Sequence, residues 1–409
     1  MRQAGDPEAS IGDWVREGAP LGLDREIPCC GVFPPVETEE TSNTIEDTEQ
    51  FIDTNLDNYV SIKVDEQDAA IEVERVVARK VASRRVKADV KKRFRRGHNS
   101  RMAAIVKIKD DGSKKRRLIV DIKRPLANTT AKAPERVVLP RLGDSAWRVL
   151  RMMRYHLSGG WSDPGCHPLG YDLEMVTRNF TDAYFHIRVH EEEQAHCLPP
   201  DTSSLTMLPW IHMCFELKAV PLLWYRFGTA VSRLILAMYD TSETRHHLYP
   251  NDPILVVAGT MRMRKYLFAM YVLATRLLRI QLTWHKTTRK YELVWRGVKI
   301  TLDVKVLAVR VALPERTVTD MRKDAAAIKG LAVVSMGRSR TFTGPLCWVS
   351  GVLPRVRWIV RVLYAVLTAH ERESLQREST QRRKGRRTTP EDFVHTKRMR
   401  LALTWICAV

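Results

Sequence analysis

The sequence lacks several of the patterns by which protein chemistry is most readily identified. Its seven cysteines are odd in number and form no CxxC pair, which argues against a disulfide framework or a zinc ribbon. It has no GxxxxGKS/T string and no GxGxxG string, so neither a P-loop nor a dinucleotide-binding fold is indicated. The longest apolar stretches, such as residues 266–274, are too short to span a bilayer, and the N-terminus has no signal-peptide pattern. We therefore expect an intracellular protein, nuclear or cytoplasmic, without a membrane segment.

What the sequence has in excess is positive charge. Its 67 lysines and arginines exceed its 47 aspartates and glutamates, which gives a net charge of +20 over 409 residues. Hydrophobic residues make up 44% of the chain, enough for one large core or for several smaller ones. An excess of positive charge predicts an anionic partner, and nucleic acid is favoured over an anionic membrane or an acidic protein.

The charges near the N-terminus are segregated by sign. Between residues 37 and 74, thirteen acidic residues are accompanied by Lys63 as the one basic residue, and between residues 75 and 101, twelve basic residues are opposed by Asp89 alone. A one-sided acidic block is typical of a solvated tail, so we predict a disordered acidic leader over residues 1–74 and a domain boundary near residue 74. The basic run that follows is interpreted either as a solvated helix face or as a surface that contacts phosphates.

Local patterns after the leader predict a mixture of strands and helices. Apolar, β-branched runs at 103–109 and 117–123 flank turn-forming residues and predict a β-hairpin. A short buried strand is predicted at 254–258, a helix at 261–278 and a pair of strands at 294–309. These elements follow no regular βαβ order, which favours the α+β fold class.

Two apolar stripes at helical spacing, each following a proline, predict further helices. Their apolar residues are Leu223, Phe227, Val231, Leu234 and Met238 after Pro221, and Val356, Ile359, Val360, Leu363 and Leu367 after Pro354. Beyond the second helix, residues 372–389 lack this periodicity and carry a dense basic cluster. That cluster fits a linker or a nuclear-import signal equally well.

Six short segments occur in a fixed order between residues 114 and 298. They are KKRRLIVDIKRPLAN, NFTDAYFHIRV, FELKAVP, YPNDP, LTWHK and VWRGV, which begin at residues 114, 179, 215, 249, 282 and 294. In this order and spacing they resemble the fingers and palm motifs of the reverse transcriptases of retroelements. The resemblance covers residues 75–305 and implies a right-hand polymerase fold. It further implies a helical thumb or connection-like part over residues 306–409, with a basic linker over residues 372–389.

The resemblance implies catalytic roles in RNA-directed DNA polymerisation. Metal coordination falls to positions 179, 251 and 252, in a two-metal mechanism of nucleotidyl transfer with Mg²⁺ or Mn²⁺ as cofactor. Lys286 matches a lysine that is a candidate general acid for the departing pyrophosphate. These residues lie far apart in the sequence, so the fold must bring them together.

The resemblance also implies binding roles. Arg117, with Asp121 four residues later, matches an arginine that reaches the triphosphate of the incoming nucleotide. The remaining nucleotide-binding positions are Asp182, Ala183 and Tyr184, and the template- and primer-binding positions are Lys218, Trp295 and Gly297. The implied partners are an RNA template, a DNA primer and deoxynucleoside triphosphates, while the oligomeric state stays open.

The chain departs from the family pattern at its catalytic carboxylates. Asn179 and Asn251 stand where the family has aspartates, so Asp252 is the one remaining carboxylate of the expected three. Because an amide oxygen brings no negative charge to a divalent cation, each loss is expected to slow nucleotidyl transfer roughly a thousandfold. Glu216 stands where the family usually has a glycine that lets the backbone approach the nucleic acid. The resemblance and these departures together imply a retrotransposon polymerase with impaired activity, or a pseudoenzyme if no activity is left.

Two functional interpretations remain open at this point. One is an RNA-directed DNA polymerase of impaired activity. The other is a non-catalytic, nucleic-acid-binding remnant of a decayed retroelement, which uses the same basic surface without metal-dependent chemistry. Single residues also have plainer interpretations, since Tyr184 is compatible with a core aromatic, Lys286 with a surface cation and Asp182 with a locally paired carboxylate.

Overall fold

The structure, a computed structural model, describes residues 5–36, 50–51, 56–94, 96–109, 111–123, 127–157, 171–202, 205–240, 243–303, 306–380 and 393–408. Helices and strands follow one another without a regular βαβ order, and the described strands pair in antiparallel fashion. This mixed content agrees with the predicted α+β class.

The elements of the described residues are numbered in chain order. The helices α1 to α12 are Ile11–Glu17, Val60–Val64, Glu66–Ala78, Lys87–Arg93, Ala127–Thr130, Leu142–Leu157, Val220–Leu236, Met261–Leu277, Glu315–Lys329, Met336–Val352, Arg357–Thr380 and Arg400–Ala408. The strands β1 to β15 are Gln50–Phe51, Arg85–Val86, Arg96–Gly97, Arg101–Ile108, Lys114–Asp121, Tyr171–Thr177, Thr206–Met207, Thr244–Tyr249, Asp252–Thr260, Thr288–Lys290, Glu292–Trp295, Val298–Asp303, Ala308–Ala312, Val333–Ser335 and Phe393–His395.

A four-stranded sheet in the order β10-β6-β9-β8 separates two hydrophobic cores. Along β9, Leu255 and Val257 face a core shared with α7 and α8, whereas Ile254 and Val256 face a core shared with α6 and the sheet β11-β12-β13. A strand buried on both faces needs apolar residues at every position, which explains the run ILVVA. The strand predicted at 254–258 and the helix predicted at 261–278 are confirmed as parts of β9 and α8.

The predicted hairpin is confirmed as β4 and β5, which pair from Arg101 opposite Asp121 to Ile108 opposite Lys114. Its apolar side chains, such as Leu118 and Val120, are buried in the core that α7 and α8 share. Helix α3 packs against β5. The hairpin therefore holds the charged residues of β5 next to α3.

The described parts of the N-terminal leader are folded onto the main core, which differs from the predicted disordered leader over residues 1–74. Ile11, Trp14 and Leu21 are buried together with residues of α7. Helix α3 crosses residue 74, where the sequence predicts a boundary. Residues 37–49 and 52–55 of the acidic run, with seven of its thirteen acidic residues, lie outside the described residues. The difference arises because charge composition carries no information about apolar residues whose partners lie far along the chain.

The C-terminal helices α9 to α12 share a core of their own. The helix predicted after Pro354 is confirmed, because a 3₁₀ turn at Pro354–Val356 leads directly into α11. Its stripe residues Ile359, Leu363 and Leu367 are buried. The predicted linker over 372–389 differs, because α11 continues to Thr380 through residues that favour helix, while residues 381–392 lie outside the described part. None of the described helices is both long and apolar enough to cross a membrane.

The sheet β11-β12-β13 continues across the boundary predicted at residue 305. Strand β13 pairs with β12 along its whole length, with Val311 opposite Ile300. The pair of strands predicted at 294–309 is therefore part of a three-stranded sheet. The buried side chains of this sheet belong to the core that includes Ile254 and Val256 of β9. Trp348 of α10 packs against the same core.

Candidate active site

A cavity of about 450 Å³ opens where α3, β5, the segment 179–185, the β8–β9 turn and the 3₁₀ turn Trp284–Lys286 meet. Its walls include residues that the sequence assigns to catalysis or nucleotide binding, namely Arg117, Asn179, Asp182, Ala183, Tyr184, Asn251 and Lys286. They come from four separate chain segments. Their meeting in one cavity is a property of the fold and not of sequence proximity.

Backbone hydrogen bonds fix the two asparagines beside each other. The N–H of Phe180 donates to the carbonyl oxygen of Asn251 at 2.8 Å. The indole Nε1 of Trp224, a fully buried residue of α7, donates to the carbonyl oxygen of Pro250 at 2.5 Å. The segment around Asn179 is thereby held against the β8–β9 turn, and the turn is held against α7.

Asp252 begins β9 directly after this turn. Its Oδ1 is buried without a hydrogen-bond partner. Burial raises the pKa of the Asp252 carboxyl above its usual range, and the positive charge of Lys286 partly offsets that rise. A buried carboxylate oxygen without a partner is suited to receive a cation or a proton.

The donor set around Asp252 does not fit a pair of divalent cations. Two magnesium ions need several charged carboxylate oxygens, whereas Asp252 has only the amide groups of Asn179 and Asn251 beside it in the predicted ligand set. The carboxylates that line the cavity, Glu72 and Asp182, are paired with arginines. Across the described ranges, no group of three or more His, Cys, Asp or Glu side chains is arranged to hold a metal ion. The residues present therefore fit a single, weakly held cation at most.

Asp182 is held by two arginines that the sequence did not reveal as site residues. Its Oδ2 accepts a hydrogen bond from Nη1 of Arg75 on α3 at 2.7 Å and another from Arg79, the residue that caps the C-terminal end of α3. Burial would raise the pKa of the Asp182 carboxyl, but the hydrogen bonds and charges of the two arginines outweigh it and lower the pKa. Arg75 and Arg79 are one helical turn apart, so a shared helix face was the available signal. Part of the basic run is thus an internal clamp rather than a solvated face.

The wall formed by β5 is positively charged. Lys115, Arg116 and Arg117 line the cavity, whereas Lys114 is not part of its lining and its Nζ binds Asp68 at 2.6 Å. Arg116 also reaches Asp68, with its Nε at 2.7 Å. The charge of Arg117 lowers the pKa of the Lys115 ammonium, and burial and the charge of Lys286 act in the same direction. Cations placed this close together favour an anionic ligand.

Tyr184 is both a core aromatic and a cavity wall. Its ring lies edge-on to Phe215, with 5.2 Å between ring centroids, and to Trp224, with 6.3 Å. The residue is half-buried, and burial raises the pKa of its hydroxyl. The hydroxyl therefore stays protonated near neutral pH. From the sequence, a place in the core and a place in the binding site are alternatives for Tyr184, whereas in the structure its ring packs against the core and also lines the cavity.

Asp121, Lys218 and Asp252 are not among the residues that line the cavity, although Asp252 directly follows the lining residue Asn251. Asp121, at the end of β5, accepts hydrogen bonds from the Tyr59 hydroxyl and from the N–H of Lys123. Lys218 is exposed, and its Nζ donates to the carbonyl oxygen of Ala131 at 2.9 Å. The predicted contact of Lys218 with a template stays a prediction.

Trp295 and Gly297 form part of the β11–β12 turn and support the strand that carries Asp252. Trp295 is 3% exposed, and its indole Nε1 donates to the carbonyl oxygen of Asp252 at 2.9 Å. Gly297 has a φ of +74°, and a Cβ there would approach the Trp348 ring to 3.3 Å. Their role in holding a primer stays a prediction.

Glu216 has a backbone conformation that suits glycine. Its φ is +80°, in the left-handed region that residues with a Cβ rarely adopt. The side chain of Asn128 holds this segment, because Nδ2 donates to the carbonyl oxygen of Glu216 at 2.6 Å and Oδ1 accepts from the N–H of Lys218 at 2.8 Å. A glycine at this position would adopt the same φ without the strain that the Glu216 Cβ causes.

Replacing Glu216 with glycine is expected to raise the free energy of unfolding by about 1 kcal/mol, because glycine adopts a positive φ without steric cost. Equilibrium unfolding in urea measures the difference. The Glu216→Ala variant is the matched control, since alanine removes the carboxylate but keeps the Cβ. An equal gain from alanine would show that the charge, and not the backbone conformation, is the source of the strain.

Comparison with known proteins gives structural neighbours only. No protein-family model and no curated protein matches the sequence. Among solved structures, the foamy viral protease-reverse transcriptase is similar in its complexes with double-stranded DNA, with TM-scores of 0.49 at 12% identity, and in its complex with an RNA/DNA hybrid, with a TM-score of 0.48 at 12% identity. These matches cover 100%, 93% and 86% of this chain, which spans 57%, 62% and 38% of the respective viral chains. At this level of similarity, residue roles do not transfer.

Proposed function

We propose that the cavity binds the triphosphate of a deoxynucleoside triphosphate, and that the chain is a reverse-transcriptase-like protein of a retroelement with impaired polymerase activity. The observation that carries the proposal is the convergence of positions 117, 179, 182–184, 251 and 286 on one cavity with a cationic wall. Its volume of about 450 Å³ is in the range of small-molecule sites. In this proposal Arg117 and Lys115 bind phosphate oxygens, and the Tyr184 ring borders the sugar.

Catalysis in this site would depend on Asp252, the two asparagines and Lys286. We propose Mg²⁺ or Mn²⁺ as the cofactor of any residual activity, held by the Asp252 carboxylate with the amide oxygens of Asn179 and Asn251. Lys286, whose charge acts on Asp252, would protonate the leaving pyrophosphate. Among these proposed ligands, Asp252 carries the one negative charge, which is too little for a pair of divalent cations. The turnover of this chain is therefore expected to be slow or absent.

The proposed polymeric partner is an RNA template paired with a DNA primer. The cationic wall continues beyond the cavity through Lys107 and Lys109, which are exposed and whose charges act on Lys115. Binding is then expected to weaken with salt, with a slope of about −0.7 to −0.9 per phosphate contacted. A second candidate function, a non-catalytic nucleic-acid-binding remnant, uses the same wall and is favoured by the two missing carboxylates.

Replacing Arg117 or Lys115 with methionine is expected to weaken deoxynucleoside triphosphate binding about tenfold or more, since each change removes a charge-assisted hydrogen bond to phosphate. Isothermal titration with each nucleotide measures the dissociation constant. Quenching of the Trp224 fluorescence gives an independent reading, because Trp224 lines the same cavity.

Lys114→Met is the matched control for Lys115→Met. It makes the same chemical change one position away, on the strand face that binds Asp68. Nucleotide affinity should be close to that of the unsubstituted chain. If Lys114→Met weakens binding as much as Lys115→Met does, net charge and not the cavity attracts the nucleotide, and the proposed site is wrong.

A further inference from the structure

A second and larger cavity of about 960 Å³ lies between α1, α7, the C-terminal end of α8 and residues 185–188. Its walls are mainly apolar and include Trp14 from α1, Phe227, Val231 and Leu234 from α7, and Leu277 from α8. Leu277 is 73% exposed and Leu234 is 43% exposed, so the recess opens on an apolar surface. A recess of this volume lies in the range that takes small-molecule ligands. The positions that the sequence assigns to catalysis and nucleotide binding are not part of its lining.

The charged residues of this cavity are all of one sign. Arg79, Arg188 and Arg279 line it, and within the described ranges no aspartate or glutamate does. Arg188 and Arg279 are exposed and form no ion pair with a carboxylate of the described chain. His212 lines the same cavity, and its Nδ1 is buried without a hydrogen-bond partner. Guanidinium groups beside an apolar recess favour a ligand with an apolar body and a negative head.

We propose that this cavity binds a small amphipathic anion, a molecule with an apolar body and a single carboxylate head, such as a medium-chain or long-chain carboxylic acid. The body lies against Phe227, Val231 and Leu234, and the head is bound by Arg188 or Arg279. A neutral molecule with the same body lacks the charge-assisted hydrogen bonds, and a cationic one is repelled. The proposal goes beyond the nucleotide cavity and does not depend on it.

The two cavities share one residue and can be tested separately. Phe185 lines both, and Arg79 of the second cavity donates to Asp182, which lines the nucleotide cavity. Arg188 and Arg279 line the second cavity but not the first. Variants of Arg188 and Arg279 therefore change the second cavity and leave the candidate active site intact.

Decanoate titrated into the full chain, and followed by isothermal titration, is expected to bind at one site. The Arg188→Met, Arg279→Met double variant is expected to bind decanoate about tenfold more weakly or worse, because the head loses its charged partners. Decanol has the same body without the charge. Its affinity should be much lower than that of decanoate for the unsubstituted chain, and it should be the same for the double variant.

The matched control is the Arg262→Met, Lys265→Met double variant. It removes the same two charges from exposed positions in the first turns of α8, about 20 Å along the helix from Leu277 at about 1.5 Å per residue. Decanoate affinity should not change. A Val231→Trp variant, which fills the cavity, should abolish decanoate binding, and circular dichroism with thermal melting establishes that it is folded. If it is not folded, the arginine variants carry the test.

Four results would overturn the proposal. The first is the absence of decanoate binding, and the second is binding of decanol as tight as that of decanoate. The third is an equal loss of affinity in the two double variants, since net charge alone would then account for it. An acidic amphipathic peptide that binds where decanoate does not would also overturn it, in favour of a protein partner.

Discussion

The Asn179→Asp, Asn251→Asp double variant is expected to extend a DNA primer on an RNA template at least about a thousandfold faster than the unsubstituted chain. The reason is the charge available to a divalent cation. Asn179 and Asn251 are held beside each other through the Phe180 hydrogen bond, and Asp252 follows directly with an unpartnered Oδ1. Two added carboxylates would give this corner of the cavity the donor set that it lacks. Extension of a labelled primer with Mg²⁺ or Mn²⁺ measures the rate.

Two controls separate restored chemistry from a general effect. Adding Asp252→Asn to the double variant removes its third carboxylate and should return the rate close to that of the unsubstituted chain. Thermal melting gives a reading without catalysis, because Mg²⁺ should stabilise the double variant by binding to its folded state and should leave the unsubstituted chain nearly unchanged. A rate for the unsubstituted chain within tenfold of the double variant would contradict the ligand argument. Extension by neither folded protein would favour the non-catalytic binding function.

The Arg226→Ala variant is expected to lower the free energy of unfolding by about 3–5 kcal/mol, because it leaves the buried Glu8 carboxylate without its charged partner. Arg226 is 1% exposed on α7, and its Nε binds Glu8 at 2.9 Å, a residue with no exposed surface. Its Nη1 lies 3.7 Å from Glu135, which is also buried. The guanidinium further stacks over Trp14, with 4.8 Å from Cζ to the ring centroid. Unfolding in urea followed by tryptophan fluorescence measures the loss.

Arg233→Ala is the matched control for this prediction. Arg233 lies two helical turns further along α7 and binds Asp6 of the same N-terminal segment at 2.7 Å, but its side chain is 36% exposed. An ion pair that water reaches contributes about 0–1 kcal/mol, so the control should lose little stability. If the two variants lose the same amount, burial of the Arg226 cluster does not determine its strength.

Much of this fold could be predicted because the signals are local. Examples are the alternating apolar residues of β4 and β5, the apolar run of β9 and the apolar stripe of α11. Each of these patterns depends only on the spacing of residues within one strand or helix. Long-range ion pairs leave no such pattern. Glu8 and Arg226 are 218 positions apart, and nothing in either local sequence indicates the other. The folded leader was missed for this reason.

The candidate site shows the same division. Seven of the residues that the motifs single out line one cavity, whereas Asp252, Lys218, Trp295 and Gly297 do not, and the functional roles of all of them stay predictions. The sequence could not show that Asp182 is clamped by Arg75 and Arg79, because the helix that carries them lies more than a hundred positions earlier. Nor could it show that Lys115 lines the cavity whereas Lys114 binds Asp68. That assignment depends on which face of β5 packs against α3.

The Arg226 cluster also sets the order in which the chain can fold during synthesis. Glu8, Trp14 and the carbonyl oxygen of Pro28 all contact a guanidinium that is made long after them. At about 5–20 residues per second, the ribosome needs about 10–40 s to advance from residue 8 to residue 226. Throughout that interval the apolar face of α1 has no α7 to pack against. The apolar residues of α1 are therefore open to chaperones and to aggregation until α7 has been made and can cover them.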